Sequence, residues 1–165
     1  SVDAALNKII ETSTDTTIKE KAQKLLGKFG VANCKLAYQE YKKIFEGEEF
    51  KALASKGAQV QRPLWASTST KNPTYRDVIY VEEIIGKNTV NTMPHQTLIA
   101  TADHAVLRDS IEENVADAKN TLHELTELGV NIDGILKELQ VDGVKKFIDS
   151  FHSLNKSIQT KYDTF

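Results

Sequence analysis

Residues 61–94 read QRPLWASTSTKNPTYRDVIYVEEIIGKNTVNTMP. Two short strand-like runs, residues 62–66 and 89–92, flank an amphipathic segment, residues 75–85. There Val78, Val81 and Ile85 recur at i, i+3 and i+7, with Asp77, Glu82 and Glu83 on the other side, which predicts a helix. The order strand, helix, strand is that of a parallel crossover unit. The first strand ends in Ser67, Thr68, Ser69 and Thr70, followed by Lys71, Asn72 and Pro73. In a parallel α/β architecture, side chains just past the carboxyl end of a strand sit at the functional rim. Small hydroxyls with one ammonium suit a phosphate or a polyhydroxylated substrate. The same composition also serves ordinary turn and N-cap chemistry, so taken alone the run leaves both readings open.

The whole string settles more than its parts. LWASTSTKNPTYRDVIYVEEIIGKNTVNTMP (residues 64–94) resembles the seventh and eighth strand region of transaldolases, in particular those of plants, cyanobacteria and actinobacteria. Upstream, GVANCKLAYQEYKKIF (residues 30–45) resembles the family's helix before that strand. Downstream, LGVNIDGILKELQVDGVKKFIDSFHSL (residues 128–154) resembles its carboxyl-terminal helices. Such an ordered set of motifs over most of a chain is far more specific than any one of them.

Composition is that of an ordinary globular protein: 165 residues, 40% hydrophobic and 27% charged, enough to bury a core as one region. A net charge of -2 offers no broad electrostatic footprint, so neither nucleic acid nor a membrane is expected as a partner. No apolar run is long enough for a bilayer span and no signal-peptide pattern opens the chain. Cys34, the sole cysteine, excludes an internal disulfide and a cysteine-built metal site. A reducing, cytoplasmic compartment is expected, or a plastid for a plant or algal source.

A complete (β/α)₈ barrel takes about 250 residues. Here two parallel strands are convincing, with residues 106–108 a doubtful third. The expected fold is therefore α/β: the carboxyl-terminal portion of a (β/α)₈ TIM-type barrel, helix-rich, with extra C-terminal helices. It is read as a single region, 1–165, with helices over 1–56, the strand-helix-strand unit over 61–94 and C-terminal helices over 95–165.

Within this frame helices are predicted over residues 1–10, 18–26, 31–46 and 50–56, with Gly27, Gly30 and Gly57 as punctuation and residues 12–17 as a polar break. Pro94 suits the first turn of a helix reaching about His104. Helices over 110–128, 132–139 and 141–161 complete the chain, and in the last one Val144, Phe147, Ile148, Phe151 and Leu154 form a stripe that must cover something. Trp65 and Cys34 read as packing residues. Asp103 and His104 suggest a catalytic pair, but their place at a helix end favours dipole and capping roles. His95, His123 and His152 lack metal-ligand spacing.

The resemblance implies transfer of a dihydroxyacetone unit between sugar phosphates, with no metal and no organic cofactor. Sedoheptulose 7-phosphate and glyceraldehyde 3-phosphate would give erythrose 4-phosphate and fructose 6-phosphate. In transaldolases a lysine forms a Schiff base with the donor ketose, helped by carboxylates and a water. Those groups lie on early barrel strands, and no lysine of this chain matches that motif, so no catalytic residue is assigned here. By the same match, Ser67 and Thr68 are carried over as rim contacts and Lys71 as the cation at the substrate phosphate. The family usually has an arginine directly before a Val-Asp pair, where this chain has Ser1 before Val2 and Asp3. Either the chain begins inside that motif or the arginine is absent, and phosphate affinity is in doubt in both cases. The expected partner is a lysine-bearing amino-terminal half, as a separate or cleaved chain, and self-association into a homo-oligomer is left open. The alternative is a non-catalytic α/β interaction or regulatory module derived from the family.

Overall fold

A computed structural model describes residues 1–164. Four helices come first: α1 (Val2–Thr12), α2 (Thr16–Leu25), α3 (Lys28–Phe45) and α4 (Glu48–Ala54). The polar break is shorter than its composition suggested, because Asp15 caps α2 by accepting the N–H groups of Thr17 (2.8 Å) and Ile18 (3.4 Å). Gly27, at φ 76°, separates α2 from α3. Gly30, predicted to do so, lies within α3 instead.

The predicted crossover unit follows. Strand β1 (Leu64–Ala66) pairs in parallel with β2 (Val90–Thr92), in the register Leu64 to Val90, Trp65 to Asn91 and Ala66 to Thr92. Alternation of side chains puts Trp65 on the helix side of the pair, buried with Tyr38, Tyr41, Ile84 and Ile111. Leu64 and Ala66 face the other way and are exposed, Leu64 to 53%.

The helix expected over residues 75–85 contracts to α5 (Ile79–Glu82), with turns on either side. Tertiary partners take backbone groups that a longer helix would have used for itself. Ser110 Oγ accepts the Ile85 N–H at 3.1 Å and donates to the Glu82 carbonyl at 2.5 Å. On the other flank, Asn72 Oδ1 accepts the Thr74 N–H, and the Asn72 carbonyl accepts the Tyr75 N–H, which sets a turn.

Beyond β2 come α6 (His95–His104), α7 (Val115–Glu127) and α8 (Ile132–Tyr162). Residues 106–108 are not a strand among the described residues. The Val106 N–H is held by the Glu82 carboxylate at 2.8 Å instead of by a sheet neighbour. Helix α7 starts five residues later than predicted, because Asn114 sits in the left-handed region at φ 54° and cannot continue a helix. Two predicted C-terminal helices are one, 31 residues long, since Gly143 stays helical and nothing within residues 139–141 breaks the run.

Two cores hold the molecule. One joins Val2, Leu6, Ala22, Leu25, Leu125 and Val130, from α1, α2 and the end of α7; the other is the aromatic cluster behind β1. Helix α3 packs on α7, and α1 on α2. Helix α8 leaves this body after its first turns and buries none of its residues.

Candidate functional site

The carboxyl ends of β1 and β2 position the site. Ser67 ends β1 in the left-handed region at φ 54°, a conformation few residues other than glycine, asparagine and aspartate adopt. Its N–H donates to the Thr92 carbonyl at 2.9 Å, which prolongs the pairing one residue before the chain turns away and leaves Ser67 exposed. Thr68 is buried, and its hydroxyl donates to Asn91 Oδ1 at 2.8 Å, tying the two strand ends together. Lys71 is exposed on the loop that follows.

Ser67, Thr68 and Ser69 line one wall of a cavity of about 380 Å³ between β1 and α3, opposite Asn33, Cys34 and Tyr80. Lys71 is not part of that lining, so the structure brings together two of the three residues singled out and sets the third outside. Burial pushes the Cys34 thiol up in pKa, which favours its protonated form.

The loop beyond Lys71 is anchored to both sides. Asp3 accepts the Tyr75 hydroxyl at 2.9 Å and the Gly27 N–H at 3.0 Å, so the start of α1 and the α2–α3 junction share one carboxylate with the rim loop. Burial, then the hydrogen bond to Asp3, pushes the Tyr75 hydroxyl up to about 12. On the far side, Arg76 grips Glu82 through two 2.9 Å hydrogen bonds and donates to the His104 carbonyl at 2.7 Å. The guanidinium holds the Glu82 carboxyl below the usual carboxylate range. His104 bridges Asp77 (Nε2, 2.9 Å) and Asp103 (Nδ1, 3.1 Å); hydrogen bonds to these carboxylates, the one to Asp77 foremost, raise its pKa and lower that of Asp77. Asp103 and His104 thus sit at a helix end, as expected, but their partner is a loop 27 residues away in sequence.

Lys35 is a residue that periodicity did not single out. It lies 4% exposed between α3 and α7, its ammonium donating to the carbonyls of Ser110 (2.6 Å) and Glu113 (3.0 Å) with Glu83 at 4.0 Å. Burial lowers its pKa against the pull of Glu83 and Glu113. All its near partners are structural, so it staples the segment before α7. The i to i+3 spacing of Ala32, Lys35 and Tyr38, all buried on α3, is the signal that could have found it. Glu82 was placed on the side of its segment opposite Val78, Val81 and Ile85, and nothing in its local pattern announces Arg76 as a partner.

Chemically, the rim offers hydroxyl donors and an exposed ammonium, an arrangement that can hold an anion but activates no nucleophile. Among the described residues no cluster of three or more His, Cys, Asp or Glu side chains is placed to hold a metal ion.

Residues 7–158 match the family described as Transaldolase/Fructose-6-phosphate aldolase. The chain belongs to this transaldolase family. It is 45% identical over 163 residues to the transaldolase of Trichodesmium erythraeum, an alignment covering 98% of this chain and 43% of that protein. It is 45% identical to transaldolase 2 of Nostoc sp. PCC 7120, over 97% of this chain and 42% of the relative. The transaldolase of Mycolicibacterium paratuberculosis is 44% identical over 91% and 42% respectively. The chain therefore spans less than half the length of the curated transaldolases it matches.

Proposed function

We propose that this chain is the carboxyl-terminal sector of a transaldolase barrel and supplies the phosphate side of its active site. The observation that carries the proposal is the parallel β1–β2 pair with its Ser67–Ser69 rim, in a chain whose family match runs from residue 7 to 158. The exposed Leu64 and Ala66 face also supports it, because the inner face of a barrel is packed with side chains contributed by all its strands.

The reaction is transfer of a dihydroxyacetone unit between sugar phosphates through a Schiff base on a lysine. That lysine belongs to a sector outside this sequence. Lys71 and the exposed Ser67 hydroxyl hold the phosphate end of the sugar, at the strand ends where barrels place phosphate sites. Thr68 acts from behind the rim: its hydroxyl proton is committed to Asn91, so it fixes the spacing of the strand ends. The phosphate contacts are uniform, present in ground state and transition state alike, and set KM more than kcat. No cofactor is required by this chemistry.

The test is reconstitution. This chain is co-expressed with the portion of the Trichodesmium erythraeum transaldolase that it does not match, and release of glyceraldehyde 3-phosphate from fructose 6-phosphate is followed with erythrose 4-phosphate as acceptor. The proposal expects turnover from the pair and none from this chain alone. A soluble 1:1 pair without turnover would instead support a non-catalytic module of the family.

A further inference from the structure

Residues 67–78 form neither helix nor strand, so the rim loop takes its shape from a few side-chain ties. At its start, the Thr68 hydroxyl is bound to Asn91 at 2.8 Å. Lys71 is exposed, and its place depends on where the loop is next held. That point is Tyr75, four residues on, whose hydroxyl donates to Asp3 Oδ2 at 2.9 Å. The other oxygen of the same carboxylate accepts the Gly27 N–H at 3.0 Å. The Tyr75 ring lies against Gly27 itself, where a Cβ would stand 3.0 Å from Tyr75 Cζ. The side chain is thus held along its length, by packing at the ring and by a charge-assisted hydrogen bond at the tip. Asp3 is firmly rooted: it belongs to α1, whose Val2 and Leu6 are buried with Leu25 and Leu125. The Arg76–Glu82 pair, by contrast, spans six residues and closes that segment on itself.

We infer that Asp3 and Tyr75 are positioning residues of the phosphate grip: their hydrogen bond sets the loop that carries Lys71 against α1, and so decides how tightly a sugar phosphate is held. Without it, residues 69–74 lose their far anchor and sample more states, only a fraction of which present Lys71 beside Ser67. Apparent affinity falls in proportion to that fraction. The loss is the same in ground state and transition state, so it appears in KM and leaves kcat alone. Burial and the bond to Asp3 push the Tyr75 hydroxyl up to about 12, so it remains a donor throughout the neutral range.

The inference rests on the barrel-sector reading above, and the experiment tells their failures apart. Wild type, Tyr75→Phe, Asp3→Ala, Asp3→Asn and the double variant Asp3→Ala/Tyr75→Phe are each paired with the unmatched portion of the Trichodesmium erythraeum transaldolase. KM and kcat for fructose 6-phosphate and the inhibition constant of inorganic phosphate are measured, and hydrogen exchange at residues 69–72 is followed in each chain. Asp15→Ala, which weakens α2 without touching the loop, is the control for lost stability. Tyr75→Phe and Asp3→Ala should raise KM and the phosphate inhibition constant together, by about three- to tenfold, with kcat within about twofold and faster exchange at residues 69–72. The double variant should be no worse than either single one, because both remove the same contact. Asp3→Asn should recover most of the loss, since its amide can accept from Gly27 and donate to the Tyr75 oxygen. Unchanged KM and phosphate inhibition in Tyr75→Phe, with turnover present, overturn the positioning role and leave the barrel-sector reading standing. Losses matched by Asp15→Ala assign the two residues to general stability and overturn it as well. A wild-type pair without turnover fails the barrel-sector reading and the inference with it.

Discussion

At the scale of single residues, the rim loop is held by charge as well as by packing. His104 has carboxylates on both ring nitrogens, Asp77 and Asp103, with the Arg76 guanidinium nearby opposing its charge. Its folded pKa is raised above the ordinary value of about 6.5, so its contribution is fully present below that pH and is lost as pH climbs through the raised value. Asp77 is depressed, so its share is present above about 3.9 and disappears as pH falls through the lowered value. The stability gap between wild type and His104→Gln should therefore be widest between about pH 4 and 6.5 and close towards pH 9. Urea melts at steps of pH measure it, and a gap constant from pH 5 to 9 would contradict a stabilising bridge from His104 to Asp77 and Asp103. Gly86 makes a steric prediction: a Cβ there would lie 2.2 Å from Ile111 Cγ2, which is fully buried. Gly86→Ala should cost about 1–3 kcal/mol by overpacking, read from the denaturation midpoint, whereas no loss would mean that the Ile111 side chain yields freely. Little of this was legible beforehand. Asp103 and His104 were visible as a pair, but Asp77 and Lys35 acquire their roles from partners 27 to 78 residues away, beyond the reach of any local pattern.

At the scale of elements, periodicity found the helices and misjudged their ends. Residues 1–10 and 50–56 were read almost where α1 and α4 lie, because Gly57 at φ 95° stops α4 and an apolar stripe defines α1. The crossover strands were legible too, since short apolar runs between turn residues leave few alternatives. The helix between them was overdrawn: its i, i+3, i+7 pattern is genuine, but Val78 and Val81 are buried by turns that Ser110 and Asn72 hold in place. Helix α2 tests capping directly. Asp15→Ala removes the acceptor for two N–H groups and should cost about 1 kcal/mol, with Asp15→Ser recovering most of it. Loss of less than a few tenths in chemical denaturation would show that water substitutes for the cap. Leu125, at the meeting of α7 with α1 and α2, should cost about 2–4 kcal/mol as Leu125→Ala, because it is fully buried among Val2, Leu6, Ala22 and Leu25 and its loss leaves a cavity.

At the scale of the whole molecule, the chain is a helix-rich α/β member of the transaldolase family with two solvent-exposed surfaces that carry apolar side chains: one face of the β1–β2 pair and the stripe of α8. The family was readable from ordered motifs between residues 30 and 154, while the site remained half legible. Side-chain type suggested a phosphate rim at Ser67, Thr68 and Lys71, yet only a three-dimensional arrangement shows Thr68 facing Asn91 and Lys71 outside the cavity. In the assembled enzyme, Lys71→Met should raise KM for fructose 6-phosphate about tenfold or more while kcat stays within about threefold, the pattern of lost uniform binding. An unchanged KM would assign the phosphate to other groups.

The central claim is that the chemistry belongs to a lysine outside this chain while this chain grips the phosphate. Borohydride reduction of the reconstituted pair with fructose 6-phosphate, followed by intact mass analysis of each polypeptide, tests it most directly. The account predicts a reduced dihydroxyacetone adduct on the partner polypeptide and none on this one. An adduct on this chain would place the Schiff-base lysine within these 165 residues and contradict the account.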